Sequence, residues 1–363
     1  MAGNDRELLV FVGCYTTADR KGRGEGITAY RMKRDSGEWQ APEVVAKVAN
    51  PSFLAVHPNG RFLYCVHGGA MSEVSAFGIA DDGSAHLDPL GTRPSGGVNP
   101  VHLAVQPGGK WLVVANYTGG TAAVLPVGSD GALGAATHVE TLSGPCGPDS
   151  VEQSAPHPHD IPFDPSGAFV AVPDKGLDRV FTFRLDLEHG RFSPANPPLV
   201  VSAPGAGPRH IAFHPQWQFA YVINELNSSI TAYAFEPGGD GFRELQTLPS
   251  VPSGVTARTT GSEIVVHPSG RFVYVSNRGH DSVGVFAIDG SDGKLSPIGW
   301  VPSGGDTPRA IALDPSGRFL YAANQASDSI VGFSVDEATG ELSPTGLTLQ
   351  TGSPSTLVFV DPQ

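Results

Sequence analysis

Histidine, arginine and acidic side chains are concentrated at the borders of short apolar segments in this sequence. Arg209 and His210 follow a proline and lead directly into an apolar segment, and Glu225 follows the next apolar segment. Similar borders carry His102, Asn116, His157, His159, Arg278, His280 and Arg309. A carboxylate beside histidine and arginine is suited to activating water, because the positive groups stabilise charge that develops on a carbonyl oxygen. The residue types therefore favour acid–base chemistry on a carbonyl compound.

The overall charge makes these positive side chains unusual. The chain has 23 Lys and Arg against 36 Asp and Glu, which gives a net charge of −13 and a pI near 5.3. No basic run of the kind that holds a phosphate backbone is present, so we expect no nucleic-acid partner. An anionic small molecule would need a local positive cluster instead. The residues that could converge to form a basin for a carboxylate or phosphate are Arg209, Arg278, Arg309, His102, His157, His159 and His280.

A repeated phrase predicts the elements that position these side chains. Variants of "PRHIAFHPQWQFAYVINE", which begins at Pro208, recur along the chain with a central proline about 50 residues apart. The central prolines are Pro58, Pro107, Pro165, Pro215, Pro268, Pro315 and Pro362. Asp-Pro-Ser-Gly turns between β-branched segments are typical of strands, and a period of this length is typical of propeller blades. The same turns exclude helical solenoids of similar period.

The end of the repeat predicts how the ring closes. The last copy stops just after Pro362, and the segment from Leu8 to Thr16 resembles the second strand that this copy lacks. We therefore predict an all-β fold: a seven-bladed β-propeller of four-stranded antiparallel blades, closed by N- and C-terminal strands that share one blade. The 46 glycines and 32 prolines then occupy turns, and residues 1–363 form a single domain. Residues just before the first strand and just after the second meet at one face of the ring.

Several side chains are better explained by structure than by chemistry. His57, His214 and His267 occupy the turn on the opposite face, in the position held by Asp164 and Asp314 in other copies, which indicates turn capping. Asn116, Asn224, Asn277 and Asn324 share one register, and this also favours a structural role over catalysis. The three cysteines are too few and too scattered for a disulfide framework or a metal-binding pair.

The sequence also favours a cytoplasmic location. Residues 1–7 are polar, and the apolar stretch from Leu8 to Val12 is too short for a signal-peptide core or a membrane span. We expect no membrane association, no cofactor and no metal ion. The expected state is a monomer or a weak homo-oligomer.

Four segments resemble the lactonase family of seven-bladed propellers. They are "HPHDIPFDPSG" from His157, "GPRHIAFHP" from Gly207, "YVINELNSS" from Tyr221 and "EIVVHPSGRFVYVSNRGHDS" from Glu263. The family includes bacterial 6-phosphogluconolactonases of the cycloisomerase-2 type and fungal carboxymuconate lactonising enzymes. The resemblance implies metal-independent opening, or reversible formation, of a lactone that bears an acidic group.

The resemblance also implies roles for individual residues. The family's active-site histidine falls in the His157–His159 segment, with His159 favoured, its arginines fall on Arg209 and Arg278, and its glutamate falls on Glu225. Glu225, alone or with His159, would then activate water. Arg209 and Arg278 would hold the anionic group and the oxyanion, while His159 or His280 would protonate the leaving hydroxyl. His102, His157, His210, His280, Arg309 and Asn116 would contact substrate.

Three other hypotheses about the function remain open. A muconate-type cycloisomerase would use the same arginines for carboxylates and an acid for proton delivery. A non-catalytic propeller would bind its ligand at a similarly polar mouth, although it would be expected to expose more aromatic side chains there. A metal-dependent lactonase could use Glu225, Asp174 and the asparagines as oxygen ligands, but the neighbouring arginines would oppose a divalent cation.

Overall fold

Twenty-seven strands form seven antiparallel sheets arranged as a ring in the computed structural model, which describes residues 7–216, 218–236 and 241–362. The first three blades use β1 (Glu7–Cys14), β2 (Ile27–Lys33), β3 (Trp39–Ala46), β4 (Pro51–Val56), β5 (Phe62–His67), β6 (Glu73–Ile79), β7 (Leu87–Pro94), β8 (Pro100–Val105), β9 (Trp111–Asn116), β10 (Thr121–Pro126) and β11 (His138–Thr141). A 3-10 helix, Ala18–Arg20, follows β1. Within the described ranges, no helix is long and apolar enough to cross a membrane.

The remaining blades repeat this pattern. Blades 4 and 5 use β12 (Phe169–Asp174), β13 (Arg179–Asp186), β14 (Arg191–Val201), β15 (Pro208–Phe213), β16 (Phe219–Asn224), β17 (Ser229–Glu236) and β18 (Gly241–Pro249). Blades 6 and 7 use β19 (Thr260–Val266), β20 (Phe272–Arg278), β21 (Ser282–Ile288), β22 (Leu295–Pro302), β23 (Pro308–Leu313), β24 (Phe319–Asn324), β25 (Ser329–Val335) and β26 (Leu342–Gln350). The last strand, β27 (Pro354–Val360), returns to blade 1. The prediction of a seven-bladed all-β propeller is confirmed.

The two ends of the chain close the ring as the sequence predicts. The C-terminal strand β27 pairs antiparallel with β1, with Val360 opposite Leu9 and Val358 opposite Phe11. Blade 1 therefore has the strand order β27-β1-β2-β3. The pairing completes blade 1 with a fourth strand and joins the two ends of the sequence in one sheet.

Blade 4 departs from the regular pattern at its innermost position. Its sheet contains three strands, β12-β13-β14, and the inner segment 156–163 is attached by isolated bridges from Pro158 to Asp174 and from Phe163 to Val170. Proline lacks a backbone N–H, so a segment with Pro156, Pro158 and Pro162 cannot form a full ladder. The irregular backbone carries His157 and His159 at the mouth of the ring.

Apolar clusters between neighbouring blades form the core. Each cluster joins two adjacent sheets, as where Tyr221 and Ile223 of blade 5 pack with Val273 and Val275 of blade 6. The second strands β5, β9, β12, β16 and β24 are buried along their whole length. Both faces of such a strand contact a neighbouring blade: Tyr221 and Ile223 of β16 pack against blade 6, and Ala220 and Val222 pack against blade 4.

The histidines of the opposite-face turns cap those turns and also join the blades. In each of the three histidines, Nδ1 accepts a hydrogen bond from the backbone N–H of the residue two positions later in the chain. The other ring nitrogen, Nε2, contacts the carbonyl oxygen of the turn glycine in the next blade. These contacts link His57 to Gly109, His214 to Gly270 and His267 to Gly317 at 2.8–3.0 Å. The capping role predicted for these three histidines is confirmed.

Candidate active site

A polar cavity of about 460 Å³ opens at the face opposite these turns. It is lined by Arg20, Asn99, Val101, Tyr117, His159, Lys175, Glu225, Arg278 and Arg309. Most of these residues lie just before a first strand, at its start or just after a second strand, where the repeat predicts that side chains meet. Arg20 is different, since it comes from the 3-10 helix between β1 and β2. Four cations and one carboxylate line the cavity of a protein whose net charge is −13.

Glu225 follows β16 and contacts three cations. Its Oε2 lies 3.1 Å from Nε of Arg209 and 3.2 Å from Nη2 of Arg278, and its Oε1 lies 3.5 Å from Nζ of Lys175. Burial by itself would raise the pKa of Glu225, but the charges of Arg278, Lys175 and Arg209 outweigh it and lower the pKa to about 2. Glu225 is therefore an anion throughout the physiological pH range.

Arg209, one of the three cations around Glu225, is held in place by a further hydrogen bond. Arg209 is 2 % exposed and donates from Nη1 to the carbonyl of Ser262 at 2.6 Å, so it supports Glu225 from behind the cavity wall. Burial, with the nearby charges of Arg278 and Arg309, lowers the pKa of Arg209 to about 9, which still leaves it positive at neutral pH.

Lys175 is held between two carboxylates. In addition to its contact with Glu225, its Nζ lies 2.9 Å from Oε2 of Glu152, and the ammonium sits 5.2 Å from the centre of the Tyr117 ring. The other oxygen of Glu152 accepts from Nη2 of Arg258 at 3.0 Å. Burial opposes the charge of Lys175, but Glu225 and the other neighbours outweigh that and raise its pKa above the usual range.

Arg20 and Arg309 form a second positive group around Tyr15. Their guanidinium carbons lie 4.7 and 5.2 Å from the centre of the Tyr15 ring, and Nη2 of Arg20 donates to the Tyr15 hydroxyl at 3.0 Å. No carboxylate within the part of the chain that the structure describes comes within 4 Å of either guanidinium. These two charges are available to an anionic ligand.

His159 begins a short chain of hydrogen bonds that leads away from the cavity. Its Nδ1 lies 3.2 Å from Nε2 of His210, and Nδ1 of His210 lies 2.6 Å from Oε1 of Glu263. All three side chains are buried or nearly so, and only His159 lines the cavity. Burial and the charge of Arg209 hold the pKa of His159 and of His210 well below the usual range, so both rings are neutral.

His102 belongs to a neighbouring pair and does not line the cavity. Its Nε2 lies 2.9 Å from Oδ1 of Asp160, and its Nδ1 accepts from the backbone N–H of Ile161 at 3.3 Å. The other oxygen of Asp160 accepts from the backbone of Ile211 at 2.8 Å, which joins blades 4 and 5. This pair fixes the inner segment of blade 4, which carries His159.

Three further residues expected to contact substrate lie away from the cavity lining. His157 stacks on Tyr117 at 4.3 Å, His280 bonds through Nδ1 to Ser282 at 2.8 Å, and Asn116 donates to the carbonyl of Ser95 at 3.0 Å. The same hydrogen bond occurs in blades 6 and 7, where the side-chain amides of Asn277 and Asn324 donate to the backbone carbonyls of Ser250 and Ser303. This repetition supports the structural role that the shared register favours.

Of the expected residues, the structure brings His159, Glu225, Arg278 and Arg309 to the cavity wall, with Arg209 and His210 directly behind it. The residues expected to act on or contact substrate did not include Arg20, Lys175, Tyr117 or Glu263. Lys175 and Tyr117 follow second strands and Glu263 lies in a first strand, so the register of the repeat does place these three at this mouth. Arg20 comes from an insertion outside the repeat, and nothing in the repeat points to it.

No group of three or more His, Cys, Asp or Glu side chains is arranged to hold a metal ion within residues 7–216, 218–236 and 241–362. The cations that surround Glu225 also oppose a divalent ion at that carboxylate.

The sequence and fold match proteins of known type. The family model "Lactonase, 7-bladed beta-propeller" matches residues 9–359. The chain is 35 % identical over 308 residues to a 6-phosphogluconolactonase of Bacillus subtilis, which covers 84 % of this chain and 84 % of the relative. It is 33 % identical over 313 residues to a 6-phosphogluconolactonase of Formosa agariphila, which covers 84 % of this chain and 85 % of the relative. The solved structure of a periplasmic gluconolactonase of Pseudomonas aeruginosa superposes with a TM-score of 0.91 and 31 % identity over 98 % of this chain and all of that one. This chain belongs to the lactonase family of seven-bladed β-propellers.

Proposed function

We propose that this member of the family hydrolyses a sugar lactone that carries an acidic group, with 6-phosphogluconolactone as the foremost candidate. The main support for the proposal is the composition of the cavity wall, which has four cations and one carboxylate in a protein of net charge −13. Such a local excess of positive charge attracts an anionic substrate against the overall field. The names of the relatives at 33–35 % identity support the same substrate.

The anionic group of the substrate binds at Arg20 and Arg309 in this proposal. These guanidinium groups are not paired with carboxylates in the described part of the chain, whereas Arg209, Arg278 and Lys175 are committed to Glu225. A free guanidinium presents a planar set of donors that matches phosphate or carboxylate oxygens. In this proposal Arg278 and Lys175, which contact Glu225, stabilise the oxyanion that forms on the lactone carbonyl.

His159 is a better candidate for the base than Glu225. The oxygens of Glu225 are occupied by Arg209, Arg278 and Lys175, and a carboxylate whose pKa is lowered to about 2 has little affinity for a proton at neutral pH. His159 is neutral, and its Nδ1 is engaged by His210, which leaves Nε2 as the ring nitrogen available to water in the cavity. Glu225 then orders the surrounding cations and orients the water, and His159 returns the proton to the leaving hydroxyl.

We further propose a metal-independent reaction in the cytoplasm by a monomer or weak homo-oligomer that binds no nucleic acid. A phosphorylated sugar lactone is strongly hydrated and does not cross a bilayer unaided, so substrate and enzyme are expected in one compartment. A net charge of −13 is unfavourable for nucleic-acid binding.

Arg309→Gln tests the assignment of the anion site. KM for 6-phosphogluconolactone is expected to rise by about 10- to 100-fold, because a charge-assisted hydrogen bond is lost, while kcat/KM for unphosphorylated gluconolactone changes little. Initial rates of both substrates, corrected for spontaneous opening, measure this selectivity. Arg61→Gln, on the opposite face of the ring, is the matched control and should leave both rates unchanged. Equal loss on the two lactones would contradict an anion site at Arg309.

A further inference from the structure

Two titratable side chains, the buried His210 and the nearly buried Glu263, lie behind His159. Neither lines the cavity, but both connect to it through His159. The three groups belong to successive blades: His159 to the inner segment of blade 4, His210 to β15 and Glu263 to β19. They form a continuous line from the cavity into the wall of the ring.

The protons in this line are not independent of one another. A neutral imidazole has one N–H donor and one acceptor nitrogen. When Glu263 is ionised, Nδ1 of His210 must donate to it, so Nε2 of His210 accepts from Nδ1 of His159, and Nε2 of His159 presents a lone pair to the cavity. When Glu263 is protonated it donates to His210 and every bond reverses, so Nε2 of His159 carries a proton.

We propose that His159, His210 and Glu263 form a proton relay, in which Glu263 stores the proton that His159 takes from the attacking water. His210 and Glu263 are positioning residues, since they act only through His159. The inference rests on the proposed lactone hydrolysis and assigns to it the destination of the proton.

The relay accounts for every atom of the reaction. As the water oxygen bonds to the lactone carbonyl carbon, one water proton moves to Nε2 of His159, the Nδ1 proton of His159 moves to Nε2 of His210, and the Nδ1 proton of His210 moves to Glu263. The carbonyl π electrons become the oxyanion lone pair. When the intermediate collapses, the ring C–O bond breaks, and the protons return in the opposite order so that the ring oxygen leaves as a hydroxyl. The new carboxylic acid then releases its proton to solvent.

The electrostatic surroundings explain why a relay is needed. Arg209, Arg309 and Lys175 act on His159, so a proton retained there would add a fourth positive charge. His210 faces Arg209, Arg309, His102 and Asp160, and burial and Arg209 hold its pKa well below the usual range too. Burial raises the pKa of Glu263 to about 7, with Asp160 adding to the rise and Arg209 and His102 opposing it. Glu263 is thus the one member of the line that can hold a proton near neutral pH.

The most direct test requires neither substrate nor variant. In the wild-type protein with ¹⁵N-labelled histidine, the tautomers of His159 and His210 should both switch as pH passes through about 7: His159 carries its proton on Nδ1 above the transition and on Nε2 below it. Tautomers that stay fixed from pH 5.5 to 8.5 would overturn the relay. Because no turnover is measured, this outcome is separate from failure of the proposed function, which would appear as a wild-type protein that opens no lactone.

Glu263→Gln tests the relay in catalysis. Glutamine can hydrogen-bond to His210 but cannot take its proton, so kcat should fall by about 100-fold while KM remains near the wild-type value. In the wild type, kcat/KM should decline as pH falls through about 7, because protonated Glu263 cannot accept a proton; the variant should lack this decline. Glu140→Gln makes the same change in the His138–Glu140 pair on an outer strand and should have neither effect. A Glu263→Gln protein that keeps wild-type kcat and the same pH profile would overturn the relay.

Discussion

Glu225 illustrates how the surroundings of a residue decide its role. A glutamate beside a histidine and arginines is expected to be a base, and the family resemblance implies that Glu225 activates water. In the structure, Arg209, Arg278 and Lys175 all lie within 3.5 Å of its carboxylate oxygens. Three cations make the carboxylate a weak base and a strong electrostatic anchor, and for this reason we propose His159 as the base.

Glu225→Gln should therefore destabilise the folded protein in a pH-dependent way. Removing the anion leaves Arg209 and Arg278 without a carboxylate partner and Lys175 with Glu152 alone, so the free energy of unfolding at pH 7 should fall by about 3 kcal/mol or more. The folded pKa of Glu225 is lowered from 4.5 to about 2, so its contribution is present above pH 4.5 and is lost as pH falls toward 2. The difference between wild type and variant should shrink over that window.

Urea denaturation at pH 7, 4 and 3 measures this difference. Glu38→Gln is the control, because Glu38 forms an exposed pair with Lys33 and should cost less than 1 kcal/mol. A Glu225→Gln protein as stable as wild type at pH 7 would contradict the electrostatic role of Glu225.

The polar residues of the site could be predicted only where they follow the repeat. Glu225, Arg278 and Arg309 occupy borders of predicted strands, and their register alone places them at one face. The same register places Asn116 and His280 there, yet local bonds to Ser95 and Ser282 hold them away from the cavity. Register gives the face on which a side chain lies but not the direction in which it points.

At the level of elements, tyrosines in the second strands join neighbouring blades. The hydroxyl of Tyr274 donates to the carbonyl of Gly340 in the next blade at 3.0 Å, and the glycine has φ of 77°. Tyr64, Tyr221 and Tyr321 make the same bond to Gly131, Gly293 and Gly37. The repeated tyrosine is visible in the sequence, but its partner lies 66–72 residues further on or at the other end of the chain, so only the closed ring reveals the contact.

Tyr274→Phe should lower the free energy of unfolding by about 1–2 kcal/mol, because it removes a buried hydrogen bond and leaves the Gly340 carbonyl without its donor. Urea denaturation measures the change. Tyr233→Phe is the matched control, since the buried hydroxyl of Tyr233 makes no hydrogen bond of normal geometry to the described residues and its removal should cost less. Equal costs for the two variants would refute the inter-blade role.

Blade 4 shows where element prediction fails. The repeat predicts a regular inner strand, but Pro156, Pro158 and Pro162 interrupt its ladder. The resulting backbone is fixed by the bonds of Asp160 to Ile211 and His102 instead. The histidine proposed as the base is thus carried by the least regular inner segment of the ring.

At the scale of the whole molecule, closure and charge could both be predicted from the sequence. The truncated last repeat indicated that β27 and β1 share a blade, because neither terminal segment alone completes four strands. The net charge of −13 indicated that any positive mouth would be an exception, and Arg20, Lys175, Arg278 and Arg309 form that exception. The size and depth of the cavity depend on the packing of six blades and do not follow from any one repeat.

The most direct test of the account is the initial rate of 6-phosphogluconolactone opening by wild-type protein dialysed against EDTA, with His159→Asn in parallel. We predict opening well above the spontaneous rate for wild type, loss of most of that acceleration in the variant, and no conversion of 3-carboxymuconate by either protein. A wild-type rate equal to the spontaneous one, or a rate that appears only when a divalent metal is added, would contradict metal-independent lactone hydrolysis at this site.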